Sequence, residues 1–184
     1  MTGTNEINQV VKERDLNQWH LLVASLLGSL GQKGSTQGAL NLLMTRSMDD
    51  FLIPFFEGHT NAEEIRQKIA TERTLQGQMA IVVKHLNEVF SLAGEMAVES
   101  GENPQEAVVR VKSNTCRFCP IGVGKAKLDP NATYCPIPTM IEKSANYFRA
   151  GLPPLKLRLF REKANTRVLQ KKDGNCYISY VVEG

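Results

Sequence analysis

Four cysteines, Cys116, Cys119, Cys135 and Cys176, carry the most chemistry by type and spacing, and all lie in the second half of the chain. Cys116 and Cys119 form a C-x-x-C pair, and two thiolates two residues apart can grip one metal from a single tight turn. The following Pro120-Ile121-Gly122 supplies a rigid position and then a permissive one where the backbone must curl. Cys135, followed by Pro136, and Cys176, just after an Asp173-Gly174 turn, are placed to complete a tetrahedral set. The expectation is one structural zinc ion held by Cys116, Cys119, Cys135 and Cys176. The separations on either side of Cys135 do not match a standard zinc finger, and four cysteines also suit an iron–sulfur cluster. Unligated thiols and a redox-active Cys116/Cys119 pair are the remaining alternatives, the latter without the βαβ setting of thioredoxin-type motifs. A disulfide framework is disfavoured because the chain reads as cytoplasmic, where thiols stay reduced.

The other reactive residue types offer less. His20, His59 and His85 have no visible catalytic partner, and Gly122-Val123-Gly124-Lys125 lacks the spacing of a phosphate loop. No nucleophile elbow, paired carboxylates or zinc-hydrolase motif is present. Asn131-Ala132-Thr133 matches a glycosylation sequon and is read as a polar turn. A binding or assembly module is therefore expected rather than an enzyme.

The elements that must position the cysteines fall into two halves of a single domain, after a flexible lead-in over residues 1–14. From 15 to 100 the pattern is helical. Leu16, Trp19, Val23, Leu26, Leu27 and Leu30 recur at three- and four-residue spacing behind Asp15 as cap, and Ala39 to Leu52 predict a second helix ending at Pro54. Thr60 and Glu63 fit a capping box for a third, and the apolar stripe from Met79 to Ala97 predicts a fourth. From 105 to 183 the pattern is β-rich, with strands at Ala107–Lys112, Leu155–Phe160, Thr166–Gln170 and Tyr177–Val182, and a short helix at Met140–Phe148. The fold class is α+β: N-terminal helices packed on a C-terminal, mostly antiparallel sheet with a cysteine metal site.

Bulk composition agrees with a folded domain. Of 184 residues 42% are hydrophobic and 22% charged, far from the disordered regime. No apolar run approaches the length of a membrane span, and the N-terminus shows no export signal. The basic residues from Lys156 to Lys172 are read as the solvated face of a sheet, with an anionic partner or membrane surface as the alternative. Nucleic acid is not expected as a partner, because the aromatics there form no stacking motif.

The segments Asn114-Thr115-Cys116-Arg117-Phe118-Cys119-Pro120, Cys135-Pro136 before a helix, and Asp173-Gly174-Asn175-Cys176-Tyr177-Ile178 resemble the 4-vinyl-reductase-type small-molecule-binding domain, in its archaeal and cyanobacterial cysteine-containing branch. The resemblance covers roughly residues 105–183. It implies a fold akin to subunits of TRAPP trafficking complexes, homodimers, a zinc near the C-terminus, and a small apolar or tetrapyrrole-like ligand in a pocket lined by the helices. Cys176 matches the family's last cysteine, whereas Val168 stands where another would be, so Cys116 and Cys119 would have to compensate. A scaffold role in assembling a photosynthetic or other complex, peripheral to a membrane, and a cysteine-dependent oxidoreductase are the rival expectations. Reductase activity is not inherited from the family name, since a fold carries no function without its site.

Overall fold

The structure, a computed structural model, describes residues 9–34, 36–59, 61–121, 123, 134–162 and 165–183. Thr60, the sequon at 131–133 and most of the Gly122–Lys125 turn lie outside these residues. Residues 9–13, expected to belong to a flexible lead-in, form a helical turn, and Val10 and Val11 pack against Leu16, Ala24 and Val123.

The first long helix, α1, spans Gln18–Gln32. Its cap is Asn17, not Asp15: the Asn17 side chain accepts from the Trp19 and His20 N–H groups, while His20 Nδ1 accepts from the Asn17 N–H. Asp15 instead has φ +53, a left-handed turn that redirects the chain before the helix. The buried face is His20, Ala24, Leu27 and Gly28, whereas Trp19, Leu26 and Leu30 of the apolar series, with Leu22 beside them, point outward.

Helix α2, Gln37–Ser47, opens a helical stretch that does not stop at Pro54 as expected. A π-helical turn, Met48–Leu52, carries it into α3, Ile53–His59. In that turn Ile53 N–H reaches Met48 O, five residues back. The wider turn gives the proline ring room and removes the need for its missing donor.

Helices α4, Ala62–Thr71, and α5, Leu75–Phe90, follow. Helix α5, expected from the stripe Met79–Ala97, stops earlier than that stripe. Ser91 takes a left-handed C-cap at φ +49, Asn87 Oδ1 accepts the Ala93 N–H, and Met96–Ser100 becomes strand β1. Ala97 and Val98 gain ladder partners there, which outweighs their helical spacing.

Strand β2, Glu106–Lys112, a 3₁₀ turn at Ser113–Thr115, helix α6, Ile137–Phe148, and strands β3 Leu155–Leu157, β4 Phe160–Glu162, β5 Asn165–Arg167, β6 Gln170–Lys172 and β7 Asn175–Val182 complete the described chain. The main sheet runs β1-β2-β7-β3, with β6 also on β7, and β4 pairs with β5 apart from it. Every pairing is antiparallel. The β6–β7 hairpin turns on Asp173 and Gly174, both at positive φ, as the favoured two-residue turn requires.

Register fixes the core. Ala107, Val109 and Val111 of β2 lie opposite Tyr180, Ile178 and Cys176 of β7, so period-two alternation turns all six to one face. Helices α5 and α6 cover that face, and Met79, Val82, Leu86, Ile141 and Phe148 fill the space between. The Met79–Leu86 stripe is thus packed into the core rather than lining a cavity.

A four-cysteine cavity

Cys176 is set by the ladder just described: it shares the core face with Ile178 and lies opposite Val111. One strand further on, the 3₁₀ turn after β2 carries Ser113 back under the hairpin, where its N–H bonds Gly174 O at 2.9 Å. Ser113 Oγ then sits 3.4 Å from Cys176 Sγ.

Cys116 is buried and knitted to the segment after α5. It bridges Ala93, while Gly94 N–H donates to Thr115 O and Arg117 N–H to Leu92 O. A side chain at Gly94 would press within 3.3 Å of Thr115, so the close approach of these strands depends on the glycine.

Cys119 and Cys135 are held from the other end of the sequence. Arg14 donates from Nη1 to Cys119 O at 3.0 Å and from Nη2 to Ile121 O at 2.9 Å. The guanidinium fork matches two neighbouring carbonyls and so fixes the turn after the C-x-x-C pair. Arg117 returns the contact, donating from Nε to Arg14 O and from Nη2 to Asp15. Gln37 of α2 pairs twice with the Cys135 backbone: its Nε2 donates to Cys135 O at 2.9 Å, and its Oε1 accepts the Cys135 N–H at 2.8 Å. Pro136 and Ile137 then start α6.

All four cysteines line one cavity of about 350 Å³. Its walls are otherwise mainly apolar, from Val111, Pro120, Ile121, Ile137, Leu169 and Ile178, with Arg14 and Lys171 also lining it. None of the four is in a disulfide. Val168 is buried beside the cavity lining and takes no part in it. The convergence expected of the cysteines is therefore present, but the close grip is not: among the described residues no three Cys, His, Asp or Glu side chains gather tightly enough to hold one ion.

The thiols feel one another. Burial pushes the Cys116 thiol up to about 12, helped by repulsion from Cys119 and Cys176 and opposed by a backbone hydrogen bond from Phe118. Burial also raises Cys135 well above the ordinary thiol value, with Cys116, Cys119 and Cys176 adding repulsion and a backbone hydrogen bond from Ile137 opposing it. Cys176 is raised by burial and eased by the Ser113 hydrogen bond. Such thiols stay protonated in a protein-only environment. A bound cation inverts that preference, because a coordinating thiol is deprotonated outright.

His20 and His85 stand apart from this chemistry. His20 is a capping residue whose ring meets Phe118 edge-on, and His85 packs among Phe56 and Phe148. The side chain of His59 is outside the described residues. Arg14, Gln37 and Ser113 are the site residues that sequence reading misses. Each acts through backbone or thiol contacts bridging more than sixty positions, which no local pattern announces.

An antiparallel sheet covered by two helices, with a cysteine-lined cavity at its edge, defines an α+β domain with one concentrated chemical site. The sequence pattern of the MJ0207 family matches residues 57–182, and the chain belongs to that family. No curated protein matches it, and no solved structure does. Among the described residues no helix is long and apolar enough to cross a membrane.

Proposed function

We propose that this chain is a non-catalytic binding module whose four-cysteine cavity holds a thiolate-ligated metal centre. The observation that carries the reading is the common destination of four thiols from three separate segments, the turn after β2, the start of α6 and strand β7. A centre there would tie those segments together, and sulfur donors suit zinc and iron–sulfur chemistry. The hydrogen bonds onto Cys116, Cys135 and Cys176 are the kind of outer support that orients metal-bound thiolates. The oxidoreductase alternative lacks this support: a nucleophilic thiol needs a depressed pKa, and burial drives Cys116 the other way.

The test is thiol accessibility coupled to metal content. Protein purified under argon should contain metal and resist a thiol reagent, and all four cysteines should titrate once a chelator removes it. Folded protein that carries no metal as purified and exposes four freely reacting thiols before any chelator is added would end this reading.

A second reading, a small apolar ligand in the same cavity, draws on its aliphatic walls. The resemblance to 4-vinyl-reductase-type domains favours it, although the cavity opens at the cysteines rather than among the helices. Native mass spectrometry that finds an organic adduct, lost on Ile178→Trp, would support it. The scaffold reading rests on the outward apolar side chains of α1 to α3, with Trp19 and Phe51 the most exposed at 67% and 72%.

A further inference from the structure

The size of the cavity and the lack of a close-set group of thiols among the described residues bear on which metal centre fits. This step rests on the metal-centre reading above. A zinc ion takes thiolates at about 2.3 Å, so four of them must crowd to within roughly 4 Å of one another. Among the described residues no such gathering exists, although all four cysteines line the cavity. The cavity that they line together with aliphatic residues, about 350 Å³, has room for far more than one ion, since a water molecule's share of liquid volume is only about 30 Å³.

We propose that the cavity takes a four-iron, four-sulfide cluster, with Cys116, Cys119, Cys135 and Cys176 each supplying one terminal thiolate. Four cysteines are the ligand set such a cluster uses. The aliphatic walls shield it from water, which together with hydrogen bonds to sulfur is what tunes such centres. A cluster with four thiolates is anionic overall. Arg14 and Lys171 bring positive charge to the lining, Arg14 acting on Cys116 and Lys171 on Cys176. Two of the four cysteines precede proline, Pro120 and Pro136, which lends rigidity where the ligands leave the turn and enter the helix.

Loading is a ligand exchange with a preassembled cluster bearing four mercaptoethanol thiolates. Each protein thiol gives its proton to a departing mercaptoethanol thiolate as its sulfur replaces it on iron. No electrons move, and four molecules of mercaptoethanol are released.

The experiment offers the full chain, purified without oxygen, this cluster in one arm and zinc in the other. The expected result is broad visible charge-transfer absorption with about four irons and four sulfides per chain in the first arm, and no stoichiometric, chelator-resistant zinc in the second. Because replacing buried Cys116 endangers the fold, the informative variants are Cys135→Ser and Cys176→Ser, with folding checked by circular dichroism. Each should lose most of the iron that the wild type retains, because one of the four terminal thiolates is gone. Zinc held at one per chain in an all-sulfur shell, with the cluster refused, would overturn the cluster while leaving the metal-centre reading intact. Undiminished iron in both folded variants would also overturn it. Failure to retain either metal, with four freely titrating thiols, would remove both.

Discussion

From the π-helical turn at Met48 onward, most of the buried apolar side chains share one continuous core, running through α4, α5 and α6 to the sheet. The N-terminal helices are built differently. Helix α1 buries little beyond two small clusters, Leu16–Ala24–Val123 and Leu27–Leu40–Tyr134, and both include a residue from the stretch between Cys119 and Cys135. Arg14 and Gln37 grasp that same stretch by its backbone. The family match, which starts at residue 57, falls almost at the border between these regions. One region derives its order from burial, and the other acts as a clasp over the cysteine-bearing segment.

The sharpest break in this comparison comes from the core. Phe148 is fully buried and packs on Phe56, His85 and Tyr147. Phe148→Ala should cost about 3–5 kcal/mol, read as a lowered midpoint in urea unfolding. A loss below about 1 kcal/mol would mean that the shared core is not the seat of stability.

Next in size is the clasp. Gln37→Ala strips both partners from the Cys135 backbone and leaves a partly buried N–H without its acceptor, costing about 1–2 kcal/mol. Its distinctive effect is local: alkylation of Cys135, followed by mass spectrometry of the apoprotein, should speed up relative to Cys176. Equal acceleration at both cysteines would show global loosening instead of an opened clasp.

This division also explains what the sequence makes legible. The four cysteines, the antiparallel sheet and the Asp173-Gly174 hairpin are readable because each depends on local spacing or on alternation along a strand. Helix ends are not. Pro54 reads as a stop until the π turn accommodates it, and Met96–Ser100 keeps helical spacing while pairing with β2 as a strand. The outward turn of Trp19 and Leu26 was equally hidden, since periodicity identifies an apolar stripe without naming its partner. Convergence of the cysteines could be guessed from their clustering, but the breadth of the cavity depends on β2–β7 register and on the clasp, which are tertiary facts.

Proton linkage separates the regions more gently. Burial lowers the pKa of His85, in the core, and of His20, in the clasp, below the ordinary histidine value of 6.5. The unfolded chain takes up protons at that value while the folded one resists them. The stability these neutral rings allow is complete above about pH 6.5 and falls as pH drops toward their folded values. Glu142, raised by burial, works in the opposite sense on acidification. The His85 part is therefore read as the difference between wild type and His85→Gln, with the variant losing less thermal stability between about pH 6.5 and 5. Parallel curves would show that His85 protonates freely in the fold.

The smallest effect on folding is expected at the outer face of α1. Leu26 is 56% exposed, on the side of the helix that also presents Trp19, Leu22 and Leu30. Leu26→Ser should shift the unfolding midpoint by the equivalent of no more than about 0.5 kcal/mol, because an exposed side chain gives up little burial. Its consequence belongs to association: four apolar side chains on one helix face are a surface that favours self-contact. Sedimentation should show any concentration-dependent mass of the wild type reduced in Leu26→Ser combined with Trp19→Ser, at unchanged core stability. A destabilisation as large as that of Phe148→Ala would place this face inside the fold and erase the contrast between clasp and core.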